Sequence, residues 1–475
     1  MALFKEKVVI LRPMKQKRMK RKVTWTIATL LLVGLGSWIY SRWNVWFHNP
    51  DEEPYTASST PHWVLLTFGD STEWARNVSW QGDSMVRPSH LELAQLPDGD
   101  TIQIPANGEV FESRAGKAAY YVARLRNLQP NACYAYRAVT DGKASEWYHF
   151  TTSKQTHDDL SFLYVGDVQD TLYGEANRFL REALHRHPQS EFLVCGGDLT
   201  ERPTNQHWTE TFRDLDSVAQ HLPLVCVTGN HDYLKGVIVS LERRFSLIHS
   251  YYLDSKVGDN QVFTFHYGPA QFFLLDSNRE FPYLFTQRQW LEEQLKRSTA
   301  RWKIVVLHHP LFSLKGNNNL IQRWMFNDLI EEYGVDLVLQ GHEHAYGRMT
   351  RHTDEGQATT PIYTVSHCSP KNYYIQFDDR FDKFGISSRY YQTVNISGDT
   401  LSMAAYEVYK HTLYDSICVI KNGADTRILD YGRAIPEYTK FTPDLSRKKD
   451  RAYAERIEAY RKRHPERIKG LRPTK

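Results

Sequence analysis

Val335-Asp336-Leu337-Val338-Leu339-Gln340-Gly341-His342-Glu343-His344 is the stretch on which the fold reading turns. Its first six residues are mostly apolar and too few for a stable helix, which suits a buried strand. The run stops at a glycine, and two imidazoles follow at once. Four more apolar runs upstream end on a possible metal donor, three of them through a glycine. Ser161-Phe162-Leu163-Tyr164-Val165 ends at Gly166-Asp167, and Glu191-Phe192-Leu193-Val194-Cys195 ends at Gly196-Gly197-Asp198. Leu222-Pro223-Leu224-Val225-Cys226-Val227-Thr228 ends at Gly229-Asn230-His231-Asp232, and Trp302-Lys303-Ile304-Val305-Val306-Leu307 runs into His308-His309-Pro310. Helical spacing separates the early runs, with Ala176, Phe179, Leu180, Ala183 and Leu184 after the first and a helix-compatible stretch from Trp208 to Val218 after the second.

In an open α/β sheet the C-terminal ends of the strands converge on one edge, where ligands bind. Any one Gly-Asp after a strand is an ordinary turn, and any one histidine an ordinary packed group. Five strand ends that each carry a carboxylate, amide oxygen or imidazole are a different matter. That donor set, free of thiolate, suits zinc, iron or manganese. Glycines beside the donors permit sharp turns and close backbone approach.

Residues 60–152, upstream of this region, alternate apolar and polar positions between frequent turns. Trp63–Phe68, Val78–Trp80, Tyr120–Leu125, Cys133–Ala138 and Trp147–Phe150 read as strands. Leu128-Gln129-Pro130-Asn131-Ala132-Cys133-Tyr134 has the form of the tyrosine corner of a fibronectin type III-like sandwich, in which the Tyr134 hydroxyl ties its strand to the preceding loop.

Further upstream, residues 1–22 are dense in Lys and Arg, and Val23 to Tyr40 is an uncharged apolar run closed by Arg42. At about 1.5 Å of rise per residue such a run covers most of a ~30 Å hydrocarbon core. Trp25, Trp38 and Tyr40 flank it as interfacial aromatics do, and the basic flank is expected to stay cytoplasmic. The reading is a single-pass signal-anchor over 23–42, with everything after residue 42 on the periplasmic or extracellular side. The alternative is a signal peptide cleaved near Gly34-Leu35-Gly36, which exports the same region.

With 475 residues the chain has room for two or three domains, and its net charge of +4 is small and concentrated at the ends. A main nucleic-acid partner, which needs a broad basic face, is therefore not expected. The five cysteines form no CxxC pair, and Cys195 and Cys226 read as free thiols on neighbouring core strands. The tail from Arg447 is basic, with Ala452, Ile457 and Tyr460 at loosely helical spacing, and reads as a solvated helix.

The order of the strand-end motifs resembles the metallophosphoesterase superfamily, and within it the purple acid phosphatases. Gly341-His342-Glu343-His344-Ala345-Tyr346 is similar to the last motif of that branch, and the fibronectin-like domain is similar to its N-terminal domain. The resemblance covers roughly residues 60–425. It implies an α/β sandwich of two mixed β-sheets flanked by helices, preceded by the small all-β sandwich and the transmembrane helix. The expected organisation is a cytoplasmic segment 1–22, the anchor 23–42, the β domain 55–153, the catalytic domain 158–425 and a basic tail 426–475.

The resemblance also implies a binuclear centre, with Asp167 and His344 on the first metal, Asp198 bridging, and Asn230, His308 and His342 on the second. The two ions would be iron, zinc or manganese. Two positions depart from the pattern. The branch has a tyrosinate ligand three residues after the bridging aspartate, where this chain has Glu201. Many metallophosphoesterases have a histidine two residues after the first aspartate, where this chain has Gln169, a weaker candidate ligand. A hydroxide shared by two cations is the expected nucleophile. His231, beside Asn230, is the expected general acid and phosphoryl contact, with an orienting role as its alternative. Arg202, Arg348 and Tyr346, near motif ends, are candidate phosphate contacts.

The expected activity is hydrolysis of phosphomonoesters on a phosphorylated small molecule. The alternatives are a phosphodiesterase or nucleotide pyrophosphate hydrolase using the same site, and an inactive cell-surface binding protein. Specificity would lie in loops 199–210, 233–260 and 311–323.

Overall fold

Strand faces decide the architecture. In a computed structural model of the chain, which describes residues 14–70, 73–154, 158–169, 175–251, 257, 261–423 and 425–470, the region 159–430 contains two seven-stranded mixed sheets. The first carries the parallel strands Leu224–Cys226, Phe192–Cys195 and Asp159–Val165, then the antiparallel run from Tyr390–Ser397 to Asp425–Asp430. The second is built on Ala270–Leu275, Trp302–Leu307, Leu337–Gln340 and Ala358–Val365, all parallel.

Side chains alternate across each strand. Phe162, Tyr164, Phe192 and Val194 of the first sheet meet Phe272, Leu274, Ile304, Val306 and Leu339 of the second in one apolar layer. The opposite faces are covered by helices. Leu163, Val165, Leu193 and Cys195 pack on the helices Glu175–Arg186 and Asn205–Asp214 through Phe179, Leu180, Trp208 and Phe212. Phe273, Val305, Leu307 and Val338 pack on Phe281–Arg297 and Leu320–Glu332 through Leu284, Leu291, Phe326 and Leu329. Strands buried on both faces read as continuous apolar runs, which is why they stand out in the sequence.

The N-terminal β domain runs from the strand His62–Phe68 to Tyr148–Thr151. Trp80 stacks on Tyr121 at 5.6 Å in its core, and the Gln129 N–H donates to the Tyr134 hydroxyl at 2.8 Å, the expected corner. Ser89–Gln95 and Ile102–Glu112 complete the sheet. The latter is largely exposed along its length, so it offers no alternation to read. The domain is bonded to the catalytic region: the Leu66 N–H donates to Ala219 O at 2.8 Å and the Tyr136 hydroxyl to Gln220 O at 2.6 Å. Cys195 and Cys226 lie opposite each other on adjacent parallel strands, both as free buried thiols.

The N-terminal helix spans Met14–Phe47, and its Lys22–Asn44 portion has a mean hydropathy of 1.5. Length and composition suit a membrane span or a signal sequence. Residues 1–13 of the expected basic flank lie outside the described residues.

The basic tail expected over 426–475, with a solvated helix from Arg447, is not what the structure contains. Asp425–Asp430 closes the edge of the first sheet by pairing with Leu413–Asn422. The helix Lys448–Arg463 buries Tyr453, Ile457 and Tyr460 against the second sheet's outer layer, while Ala452 is exposed. Tyr460 stacks on Phe377 at 4.5 Å and donates to Glu437 at 2.6 Å. Three apolar positions spaced four and three residues apart make a narrow stripe, hidden in the sequence by the surrounding Lys and Arg.

Candidate metal centre

All five strand-end turns open on the same edge of the two sheets, and three of the expected ligands sit there in left-handed backbone conformation. Asp167 has φ 47°, Asp198 φ 51° and His342 φ 68°. Such values are uncommon for residues with a side chain and cluster at functional sites. Short hydrogen bonds hold them. The His342 N–H donates to Asp167 Oδ2 at 2.6 Å, the His231 N–H to Asp198 Oδ1 at 2.8 Å, and the Asp167 N–H to Gly197 O at 3.1 Å. Two glycines are required by close approach. A Cβ on Gly229 would stand 2.1 Å from Asp198 Oδ1, and one on Gly341 would stand 2.5 Å from Asp167 Oδ2.

Two groups of donors result. In one, Asp198, His308 and His342 present ligand atoms that all lie within 4.8 Å of one another. His308 donates from Nδ1 to Gly196 O at 2.9 Å, which turns Nε2 toward Asp198 Oδ2 at 3.2 Å and Asn230 Oδ1 at 3.2 Å. Asn230 Oδ1 also lies 2.8 Å from His342 Nδ1. In the other group, His344 Nε2 is 3.3 Å from Asp167 Oδ1 and 3.1 Å from Gln169 Nε2. Gln169 Oε1 and Asp167 Oδ1 are buried without a hydrogen-bond partner among the described residues. Turning the amide over would aim Oε1 at the same place as His344, since the two orientations exchange Oε1 and Nε2 and leave the rest of the side chain in place.

These residues fit metal ions. Orphaned buried oxygens are costly, and imidazoles fixed by a carbonyl at one nitrogen present the other as a ligand. Burial opposes charge on His308, yet Asp198 outweighs it and pushes the imidazole up to about 10. Burial likewise opposes charge on Asp198, but His308 and His231 hold it well below the usual carboxylate range. A cation takes the place of such a shared proton, because ligands bind deprotonated. Burial, with His309 and His308 beside it, keeps His342 neutral and its lone pair available.

His231 stands apart from the donors. Its Nδ1 lies 2.5 Å from Glu201 O, and its Nε2 faces Asp198 Oδ2 at 3.9 Å. His309 bonds Ser277 Oγ at 3.0 Å and packs its ring 4.3 Å from that of His342, so it supports a donor rather than joining the set. Burial, with His308 alongside, drives it down to about 3. Glu343 turns away and takes bonds from the Ser313 hydroxyl at 2.6 Å and the Leu314 N–H at 2.5 Å, pinning the loop after Pro310.

Tyr346 and Arg348 are not phosphate contacts. Both are fully buried in the strand Tyr346–His352, and both turn to Asp415. The Tyr346 hydroxyl donates to Asp415 Oδ2 at 2.8 Å, Arg348 Nε to the same oxygen at 2.7 Å, and Arg348 Nη2 to Asp430 Oδ1 at 2.8 Å. Residues two apart on a strand share a face, and this face looks at the other sheet. Arg202 stays partly exposed, 4.0 Å from Glu201, at the rim.

Three residues beside the site escaped the sequence reading. Glu201 is gripped by Lys371, whose Nζ donates to its two oxygens at 2.6 and 2.7 Å. The His344 ring is sandwiched between Tyr373, at 4.4 Å and 13°, and His367, at 5.4 Å and 15°. All three lie just past the strand Ala358–Val365, parallel to Leu337–Gln340 and ending at the same edge. The signal was present: Pro361-Ile362-Tyr363-Thr364-Val365 is a sixth apolar run, and it leads into Ser366-His367.

Comparisons with known proteins bear on this geometry. Residues 160–346 match the calcineurin-like phosphoesterase family, and residues 61–152 match the purple acid phosphatase N-terminal domain. The chain is similar to purple acid phosphatase 22 of Arabidopsis thaliana, with 26% identity over 294 residues, 58% of this chain and 64% of that protein. It is also similar to a phosphoenolpyruvate phosphatase of Allium cepa, with 24% identity over 317 residues, 62% of this chain and 63% of that one. The matches thus span less than two thirds of either relative. Among solved structures, the yellow lupin purple acid phosphatase PPD1 shares the fold with a TM-score of 0.62 at 15% identity, over 77% of this chain and 75% of that one. The structure of PhoD shares it with a TM-score of 0.56 at 14% identity, over 87% and 100%.

Proposed function

We propose, for a chain that belongs to the calcineurin-like metallophosphoesterases and carries the purple acid phosphatase N-terminal domain, that it is a membrane-anchored hydrolase of phosphate monoesters. The observation that carries the reading is the convergence of Asp198, His308 and His342 within 4.8 Å, with His231 directed at the same carboxylate from 3.9 Å. Asp167, His344 and, more weakly, Gln169 would hold one cation, Asn230, His308 and His342 a second, and Asp198 both. When bound, the pair of cations supplies an activated water and neutralises charge that builds on the phosphoryl oxygens.

The chain's own residues orient the rest. A carboxylate is required at 198 because only an anion accepts bonds from both sides and offsets two positive charges. The Glu201 carbonyl holds Nδ1–H of His231, so a protonated ring has only Nε2–H left to give. That proton passes to the leaving oxygen, which converts an alkoxide into an alcohol as the ester bond breaks. Arg202 stands at the rim where a phosphate could meet it. In this reading Lys22–Asn44 is an uncleaved span, with the N-terminus cytoplasmic and the catalytic region outside.

The test is a metal-supplemented screen of the purified chain against monoesters and diesters, with Asp198→Asn as partner. The expected result is monoesterase activity that the substitution abolishes together with bound metal. Activity and both metals retained by Asp198→Asn would refute the site, and faster turnover of diesters would refute the substrate class.

A further inference from the structure

Loops that close two-stranded hairpins are ordinarily polar and rich in Gly, Asn and Asp, because the tip faces water and the turn needs unusual backbone angles. The short strands Tyr233–Leu234 and Ser240–Leu241 are joined by Lys235-Gly236-Val237-Ile238-Val239. Val237 is 93% exposed and Ile238 70%. Three consecutive β-branched apolar residues at a hairpin tip breach the local rule, as sequences do where a surface is kept for contact.

A second observation says what covers them. Residues 235–240 and the N-terminal helix through Asn49 form one compact unit. Asn49 grips Lys235 from both directions, with Nδ2 donating to Lys235 O at 3.0 Å and the Lys235 N–H donating to Asn49 Oδ1 at 2.7 Å. The apolar span ends at Asn44 and the helix at Phe47. Those three further residues add about 4.5 Å of rise. The headgroup layer on each side of a bilayer is roughly 5–8 Å deep. Trp43 and Trp46 on this stretch are exposed, as interfacial aromatics are in the absence of lipid. Asn49 thus falls at headgroup level when the span is inserted, and the loop bonded to it falls there too.

We infer that the tip Val237-Ile238-Val239 is a membrane-contact element that enters the lipid interface beside the anchoring helix. The inference rests on the anchor reading of Lys22–Asn44. Lys235 at the base of the tip suits lipid phosphates. Lys235 follows His231 by four residues, a separation the chain cannot stretch beyond about 14 Å. The lipid contact and the turn that carries His231 therefore belong to one short segment of the chain.

The experiment uses the full chain with Cys133→Ser, which removes the one thiol that is not buried. An environment-sensitive fluorophore is attached to Val237→Cys, to Leu31→Cys inside the span, and to Leu445→Cys, an exposed control. Each protein is reconstituted into phosphatidylcholine–phosphatidylglycerol vesicles with brominated acyl chains. Probes at 31 and 237 are expected to lose emission to the brominated lipid, while the probe at 445 responds only to iodide in the buffer. A probe at 237 quenched by iodide and spared by brominated lipid, with the probe at 31 quenched by lipid, overturns the membrane contact and leaves the anchor standing. A probe at 31 spared by lipid overturns the anchor and the inference with it.

Discussion

Replacing His231 by alanine separates proton donation from metal assembly. The residue contributes two things to the site, and the substitution removes only one. Its backbone N–H donates to Asp198 Oδ1 at 2.8 Å, and alanine keeps that bond, so the carboxylate stays aimed. Its ring is held by Glu201 O at 2.5 Å, with Nε2 3.9 Å from Asp198 Oδ2, and it is not one of the donors that converge as Asp198, His308 and His342. Metal content should therefore be unchanged. Loss of a positioned acid costs about 10²–10⁴ in rate, which is about 2.7–5.4 kcal/mol of barrier. The short bond to Glu201 fixes the ring before substrate arrives, so alkyl phosphates should fall toward the upper end, about 10³–10⁴. Nitrophenyl phosphate, whose leaving group needs little protonation, should lose far less. The assay is kcat/KM across a series of monoesters graded by leaving-group basicity, with metal measured by elemental analysis. A stripped metal would make His231 a ligand. An equal loss across the series would make it a phosphoryl contact rather than the acid.

Arg348→Met removes the ion-pair partner of buried Asp415, while Asp430 keeps Arg433 at 3.4 Å, and breaking a buried pair from one side should cost about 3–5 kcal/mol in a denaturant titration. Burial raises the Asp415 pKa but Arg348 outweighs it and holds the carboxyl below its ordinary value. That stability is present above the ordinary carboxylate pKa of about 3.9 and is lost as pH falls below it. The wild-type advantage over Arg348→Met should accordingly shrink in acid, and a constant difference down to the acid limb would refute the pairing. Tyr460→Ala, which empties the helix stripe packed on Phe377, should destabilise by about 3–5 kcal/mol, whereas a loose tail would register almost nothing. Because Glu201, held by Lys371, stands three residues after Asp198 where the tyrosinate is expected, metal-loaded protein should lack a strong visible iron–tyrosinate band, and a coloured protein would point to another tyrosine, with Tyr373 on His344 the first to replace.

The sequence by itself determined the features that depend on neighbours along the chain. Each expected metal donor follows a buried strand by one to a few residues, so a strand end and a polar residue, with a glycine between them at all but His308, announce it before any contact is known. The tyrosine corner at Tyr134 and the apolar span are legible for the same reason. Tertiary structure alone decided which side chains meet across the two sheets. Tyr346 and Arg348 sit next to a donor motif in sequence, yet strand alternation turns them to Asp415, nearly seventy residues away. Lys371 reaches Glu201 across 170 residues, and Tyr373 and His367 enclose His344 from a strand whose parallel register no local pattern reveals. The helix Lys448–Arg463 joined the core on a stripe of three residues amid charge, because burial is decided by the partner surface and not by the composition of the segment.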